Sequence, residues 1–177
     1  MDRVVTPYEG SGYRPWDDAA PVPAPLRLHE TTVDPRWVDY NGHLSESCYL
    51  LVFGDSADAF FRYLGIDERY RANGRSLYTA DTHLHHDREV AEGEPIALSL
   101  RLLDHDAKRL HLFHEMHHAG SGLLLATAEQ LLVHVDTERG RSCELPVELR
   151  DRLSAIHRAH QDLPVPGRVG RPMGIRR

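Results

Sequence analysis

The chain has few cysteines, a single lysine and no long apolar run. Its two cysteines, Cys48 and Cys143, lack C-x-x-C spacing, which argues against a disulfide framework and against a cysteine zinc site. No stretch approaches about 18 consecutive apolar residues, and the first residues lack the charged-then-apolar pattern of a secretory signal. We therefore expect a cytoplasmic protein without a membrane partner.

The charge balance is mildly acidic. Twenty arginines and Lys108 stand against 27 aspartates and glutamates, which gives a net charge of −6. Domains that bind nucleic acid are ordinarily basic, so nucleic acid is not expected as a partner. With 177 residues, of which 41% are apolar, the chain has enough material for one folded domain that needs neither a disulfide nor a metal to fold.

Proline, glycine and hydrophobic periodicity divide the chain into three parts. Residues 1–25 hold five prolines and no sustained apolar period, which predicts an extended or disordered arm. Residues 26–145 form the predicted folded domain. Residues 146–177 hold a second helix, opened by Pro146, and a basic tail.

The pattern of the central domain predicts a strand, one long buried helix and four further strands. The first strand covers 26–33. From about Ser45, apolar residues recur three to four positions apart as far as Gly65, a natural helix stop. The later strands, separated by turn residues, are predicted at 77–86, 95–103, 108–118 and 123–136. One helix cannot cover both faces of such a sheet, so we expect a homodimer.

The loop before the long helix concentrates reactive and polar residues. Asp39, Asn41, Gly42 and His43 stand within five positions, just before the helix begins near Ser45. Free N–H groups and the helix dipole at that point favour developing negative charge. A carboxylate beside such donors could attack an acyl carbonyl or activate a water. In the structural alternative, Asp39 and Ser45 cap the helix and Asn41-Gly42 forms a turn.

The motif D-x-N-G-H at 39–43, with a tyrosine six residues after its histidine, resembles the hotdog-fold acyl-CoA thioesterases of the 4-hydroxybenzoyl-CoA type. Several segments resemble more narrowly the betainyl-CoA thioesterases associated with carnitine 3-dehydrogenase; they are 39–46, 53–55, 78–83, 108–114 and 126–136. The resemblance implies an α+β hotdog fold. In this fold, an antiparallel sheet of about five strands wraps around one long helix, and a C-terminal helix follows.

The resemblance also implies a function. We expect an acyl-CoA thioester hydrolase that acts on a small cationic thioester such as betainyl-CoA in carnitine breakdown. No cofactor or metal is expected, since coenzyme A is part of the substrate. The implied partners are the acyl-CoA, a second copy of the chain in a homodimer or a dimer of dimers, and a functional link to carnitine dehydrogenase.

Residue roles follow from the same resemblance. Asp39 matches the family's catalytic carboxylate, as nucleophile or general base, and Asn41 and His43 stand beside it. Glu46 stands where the family offers a main-chain N–H to the thioester oxygen. Many relatives carry Asn-Asn where Ser45 and Glu46 stand. The Glu46 side chain could therefore be a second active carboxylate or a counter-charge for a cationic acyl group.

A trimethylammonium group donates no hydrogen bonds, so aromatic faces and a nearby carboxylate are what can hold it. The predicted substrate-binding residues are Trp37, Tyr40, Gly42, Tyr78, Asp81 and His83. The structural alternative is that aromatic residues beside a turn fill the core. The arginines of the tail could meet CoA phosphates or remain solvated; they are Arg168, Arg171, Arg176 and Arg177.

Residues 114–118 spell H-E-x-x-H, a zinc signature that requires a helix. The turn signals around 108–118 predict a strand instead, which would separate His114 from His118 by about 13 Å, too far to share a metal. Two other functions stay open. One is a hotdog enoyl-CoA hydratase, whose motif D-x-N-P-x-H has proline where Gly42 stands and a histidine one residue later. The other is a non-catalytic acyl-CoA-binding protein.

Overall fold

The computed structural model describes residues 5–174 and shows a curled antiparallel sheet packed against one long helix. The strands are β1 (Leu26–Thr32), β2 (Arg75–His86), β3 (Pro95–His105), β4 (Arg109–His118), β5 (Leu124–Asp136) and the two-residue β6 (Arg141–Ser142). The helices are α1 (Glu46–Leu64), α2 (Glu68–Ala72) and α3 (Val147–His160), with a 3-10 turn at Pro35–Trp37. The predicted order of strand, long helix, four strands and terminal helix is confirmed.

Three short elements were not predicted: the 3-10 turn, α2 and β6. The 3-10 turn begins at a proline, and the Asp34 carboxylate accepts a hydrogen bond from the Arg36 N–H. In α2 the Asp67 carboxylate accepts a hydrogen bond from the Tyr70 N–H. A helix of one turn has too few residues to show a hydrophobic period, so its cap is the only local signal.

The long strands lie in the order β1-β3-β4-β5-β2, and β6 pairs with β5. β4 is therefore the central strand, and β1 and β2 form the edges. All pairings are antiparallel. The exposed edge of β2 leaves a row of main-chain N–H and C=O groups without a strand partner in the described chain.

Helix α1 fills the concave side of the sheet. Twelve of its 19 residues are buried, because apolar positions occupy most of its circumference. It ends at Gly65, which adopts a φ of 97° that favours glycine, and whose N–H closes the last turn onto the carbonyls of Phe61 and Arg62. On the β4 side, Ser56 meets the buried ring of His114, with 3.3 Å between Oγ and Nδ1.

The chain on either side of the central domain packs against it. Residues 5–25 form no helix or strand, yet Trp16 packs on Tyr63 with 5.2 Å between ring centroids. At the other end, residues 161–174 cross the sheet face opposite α1, where the Gly170 N–H donates to the Glu129 carboxylate. Within residues 5–174, no helix is both long and apolar enough to cross a membrane.

Candidate active site

A small hairpin carries the predicted catalytic residues to the start of α1. Val38 bridges Leu44 in antiparallel fashion, and the Asp39 N–H donates to the His43 carbonyl at 3.0 Å. The Gly42 N–H closes the turn onto the Asp39 carbonyl, also at 3.0 Å. Gly42 has a φ of 79°, a left-handed conformation that side chains disfavour. The Asn41-Gly42 turn predicted from the sequence is confirmed.

Of the capping part of the structural alternative, the N-cap position of Ser45 is confirmed, and capping by the Asp39 side chain is wrong. Ser45 occupies the N-cap position of α1, but its side chain accepts no hydrogen bond from the helix. The Asp39 carboxylate accepts its hydrogen bond from the Asn41 N–H at 2.8 Å, inside its own turn. Asp39 is therefore held by the turn rather than by the helix. The second oxygen of this carboxylate has no hydrogen-bond partner within residues 5–174.

The hairpin is fixed to the body of the domain at three points. The Ser45 N–H donates to the Trp37 carbonyl at 2.8 Å, and the Leu44 N–H donates to the Val90 carbonyl at 2.9 Å. His43 forms a bridge with Ala91. These main-chain bonds hold the turn against both α1 and the segment that follows β2, so Asp39 has a defined position beside the helix.

The first turn of α1 offers free donors. The N–H groups of Glu46 and Ser47 donate to no group within the described chain, whereas the Cys48 N–H already binds the Ser45 carbonyl at 2.9 Å. Unpaired N–H groups at a helix start are partial positive charges and bind anions well. A thioester oxygen that became negatively charged at this point would accept hydrogen bonds from the two free donors.

The predicted acid-base residues differ in their surroundings. Asn41 and Glu46 are exposed, and His43 is half-buried. The Glu46 and His43 side chains make no hydrogen bond or ion pair within residues 5–174. Both side chains are therefore available to a ligand that binds beside the hairpin.

The predicted substrate-binding residues do not meet within one chain. Trp37 is half-buried and packs against the apolar cluster below the hairpin, whereas Tyr40 is 96% exposed at the tip of the turn. Tyr78, Asp81 and His83 lie on β2, opposite Val133, Leu131 and Glu129 of β5. This register places them on the sheet face away from α1. The predicted site residues therefore fall into two groups, one around Asp39 and the other on the outer face of β2.

The structure reveals one residue that the sequence analysis left without a role. Asp55 lies in α1, is 8% exposed and forms no hydrogen bond or ion pair within residues 5–174. Burial, with a smaller contribution from the neighbouring Asp58, raises the pKa of Asp55 to about 6. A sequence signal was present, since a carboxylate interrupts the apolar stretch that surrounds Phe53.

The H-E-x-x-H segment lies in β4 and is a strand, as predicted. Burial lowers the pKa of His114 to about 4, and its ring packs edge-on against Phe53 in the core. His118 instead pairs with Glu94. Within residues 5–174, no group of three or more His, Cys, Asp or Glu side chains could hold a metal ion.

The basic tail is partly engaged with the sheet. Arg168 forms an ion pair with Asp87, so the charge of its guanidinium is already balanced by a carboxylate. Arg171 lines a cavity of about 510 Å³ on the outer face, together with Asp81 and His83. Arg176 and Arg177 lie outside the described residues. The possible contact of the tail with CoA phosphates stays a prediction.

An antiparallel sheet curled around one long helix, with a carboxylate turn beside free N–H groups at the helix start, defines a hotdog protein of the thioesterase type. A family model of the thioesterase-like superfamily matches residues 33–153. The chain belongs to this superfamily, which confirms the resemblance drawn from the D-x-N-G-H motif.

Individual relatives agree with this assignment. The betainyl-CoA thioesterase of Pseudomonas aeruginosa is 45% identical over 151 residues, covering 85% of this chain and 95% of the relative. The L-carnitine dehydrogenase/betainyl-CoA thioesterase of Rhizobium meliloti is 43% identical over 153 residues, covering 86% of this chain but only 31% of the relative. A presumed thioesterase from Pseudomonas putida KT2440 superposes with a TM-score of 0.77 at 34% identity, covering 86% of this chain and 98% of that one.

Proposed function

We propose that this protein hydrolyses the thioester bond of a small cationic acyl-CoA, with betainyl-CoA as its substrate. The observation that carries the proposal is the position of Asp39, held by the hairpin beside the free N–H groups of Glu46 and Ser47. Asp39 supplies the nucleophile or the general base, and the N–H groups stabilise the charge that forms on the thioester oxygen.

The identity of the acyl group rests on the relatives. The two described above carry betainyl-CoA thioesterase in their names, and one of them also carries L-carnitine dehydrogenase. The chain spans about a third of that longer relative, and the thioesterase-like family model matches residues 33–153 of the chain. With this support, we propose that the chain acts in carnitine breakdown and is linked in function to a carnitine dehydrogenase, and we propose the cytoplasm as the place where it acts.

Two measurements on the purified protein test the activity. Release of free thiol from betainyl-CoA is compared with release from neutral short-chain acyl-CoAs. The same assay is run on Asp39→Asn, which keeps the oxygen that accepts from the Asn41 N–H and so preserves the turn. Loss of an acid-base group costs about 10²–10⁴-fold in rate, and we expect that loss in kcat.

Three results would count against the proposal. Undiminished turnover by Asp39→Asn would remove Asp39 from the reaction. A preference for neutral acyl-CoAs would remove the cationic substrate. Hydration of enoyl-CoA without thiol release would indicate the hydratase chemistry of the same fold.

We also propose that two copies pair along β2 to form a homodimer, which could associate further into a dimer of dimers. The support is the exposed edge of β2, where Tyr78, Thr79, Ala80 and Asp81 are all exposed. A strand edge of this kind binds a second strand through main-chain hydrogen bonds. Such pairing would bring Tyr78 and Asp81 of one protomer towards its partner. Sedimentation equilibrium distinguishes a monomer, a dimer and a tetramer.

A further inference from the structure

A second cavity lies on the β1 side of α1, away from the exposed edge of β2. It has a volume of about 730 Å³ and lies between the N-terminal arm, β1, the 3-10 turn and α1. We call it the arm cavity, and the residues of its wall that matter most here are Tyr8, His29, Glu30, Trp37, Leu51 and Asp55. Of these residues, only Trp37 was predicted to take part in the thioesterase site.

Two carboxylates of this wall are unpaired. Asp55 of α1 is 8% exposed and Glu30 of β1 is exposed, and neither accepts a hydrogen bond or forms an ion pair within residues 5–174. Asp58, three residues further along α1, forms an ion pair with Arg62. A buried carboxylate without a partner is costly, and the usual compensation is a cation or several hydrogen-bond donors. Asp55 has neither in the part of the chain that the structure describes.

The charges around Asp55 do not balance it. Burial and the negative charge of Asp58 raise the pKa of Asp55 to about 6, without an opposing contribution from a cation. Arg36, which also lines the cavity, binds both carboxylate oxygens of Asp34, at 2.9 and 2.7 Å. The Thr6 hydroxyl donates to Asp58 rather than to Asp55. The wall therefore carries an uncompensated negative charge.

The buried histidine of the wall adds a third kind of acceptor. The Tyr8 hydroxyl donates to the Leu28 carbonyl at 3.0 Å, so the proton in its 2.6 Å contact with His29 comes from Nδ1 of the ring. Burial lowers the pKa of His29 to about 4, so the ring is neutral at physiological pH. Its Nε2 is then an acceptor, and it has no hydrogen-bond partner within residues 5–174.

These three unpaired groups all accept hydrogen bonds, and two of them are anionic. They suit a cation that donates hydrogen bonds, because a quaternary ion would leave every acceptor unpaired. No group of three or more His, Cys, Asp or Glu side chains within residues 5–174 could hold a metal ion, which points to an organic cation. A guanidinium fork matches the two oxygens of one carboxylate, whereas the three donors of a primary ammonium group can reach carboxylates on two elements.

We propose that the arm cavity binds the protonated form of a small primary amine. Its ammonium group lies between Asp55 and Glu30, and its alkyl chain packs against the rings of Tyr8 and Trp37 and the side chain of Leu51. The trimethylammonium group of the proposed thioester substrate has no N–H to donate, so this ligand belongs to a different chemical class. The proposal therefore does not depend on the thioesterase activity.

Calorimetric titration of the full chain with propylamine at pH 7.5 tests the site, because an alkylamine is protonated at this pH. Trimethylpropylammonium is the matched probe without N–H groups, and propan-1-ol is the uncharged probe. The binding-site variants are Asp55→Asn and Glu30→Gln, which remove one charge each and keep the shape of the side chain. Asp151→Asn, at an exposed position on α3, is the control for net charge. Asp39→Asn is the control for the thioester site.

We expect saturable propylamine binding by the wild type, by Asp151→Asn and by Asp39→Asn. Binding by Asp55→Asn should be at least about tenfold weaker, as expected when a hydrogen bond to a charged group is lost. Binding by Glu30→Gln should be about two- to fivefold weaker, because an exposed ion pair contributes less. Both other probes should bind the wild type at least about tenfold more weakly than propylamine does.

A cooperative thermal unfolding transition confirms that each variant is folded, and Glu30→Gln carries the test if Asp55→Asn does not fold. Four outcomes would overturn the proposal. They are no saturable binding by the wild type, equal or tighter binding of either other probe, undiminished binding by both folded carboxylate variants, and loss of binding in Asp39→Asn, which would move the ion to the thioester site.

Discussion

The N–H of Ser45 donates a 2.8 Å hydrogen bond to the carbonyl oxygen of Trp37. This bond joins the residue before α1 to the residue before the hairpin, so the helix start and the turn move as one unit. The same unit carries the Asp39 carboxylate and the free N–H groups of Glu46 and Ser47. In the proposed reaction, a charged oxygen that forms beside Asp39 would accept from donors that need no rearrangement, which is the condition for effective electrostatic stabilisation.

The first prediction concerns the Glu46 N–H. Glu46 is the first residue of α1, where proline is well tolerated because that N–H has no partner in the helix. Ser45 has φ −63° and ψ 145°, a conformation that suits a residue before proline. Glu46→Pro therefore removes one donor and leaves the helix intact. We expect kcat for the thioester to fall about 10²–10³-fold, as when one oxyanion donor is removed.

Glu46→Ala is the matched control, because it removes the carboxylate and keeps the N–H. We expect it to hold kcat within about threefold of the wild type, with both variants unfolding at similar urea concentrations. If Glu46→Ala loses as much kcat as Glu46→Pro, the side chain rather than the main chain takes part in the reaction. That result would assign the Glu46 carboxylate one of the two side-chain roles that the sequence analysis left open, an active carboxylate or a counter-charge.

The second prediction concerns Gly42. Its φ of 79° is left-handed, and a Cβ built there meets no atom within 4 Å, so the cost of a side chain is conformational rather than steric crowding. Gly42→Ala should lower the free energy of unfolding by about 1–2 kcal/mol. Because the turn holds Asp39, we also expect a lower kcat. Urea unfolding and the thiol-release assay measure the two effects.

Gly140 provides the matched control for Gly42. It has a φ of 61° in the turn between β5 and β6, and a Cβ there also meets nothing within 4 Å. Gly140→Ala should cost similar stability and leave kcat unchanged. Equal kcat in the two variants would show that the geometry of the 39–42 turn does not limit the reaction.

Local sequence patterns predicted the helices and turns that form because of their own residues rather than through contacts with distant parts of the chain. The spacing from Tyr49 to Leu64 gave the long helix, and Gly65 gave its end. Asn41-Gly42 gave the turn that holds Asp39. The order β1-β3-β4-β5-β2 could not be predicted in this way, because it depends on which distant strands pair.

Only part of the candidate site could be predicted from the sequence, because some of its residues lie far apart in the chain. Asp39, Asn41 and His43 are close in sequence and remain close in the fold. Tyr78 and Asp81 lie on a distant strand, and its register with β5 decides which face they occupy. Asp55 shows in the sequence only as a carboxylate in the apolar stretch around Phe53, because its burial and its lack of a partner arise when the arm packs over β1 and α1.

The third prediction follows from the pKa of Asp55. Burial raises this pKa from an ordinary value near 3.8 to about 6. Between pH 4 and pH 6 the native state therefore binds more protons than the unfolded state, so this residue makes stability fall as pH rises. Asp55→Asn carries no such charge. Above pH 6.5 it should be more stable than the wild type, by at most about 3 kcal/mol at 1.36 kcal/mol per pKa unit.

The Asp55 effect must be measured as a difference between variants, because buried histidines act in the opposite direction. Burial lowers the pKa values of His29 and His114 to about 4, so they make stability fall as pH drops from 6.5 to 4. Both are present in Asp55→Asn and in the wild type, and they cancel when the two are compared by urea unfolding at pH 4 and pH 7.5. We expect the advantage of Asp55→Asn at pH 7.5 to shrink towards zero at pH 4. An advantage that is the same at both pH values would mean that Asp55 does not titrate as a buried, unpaired carboxylate.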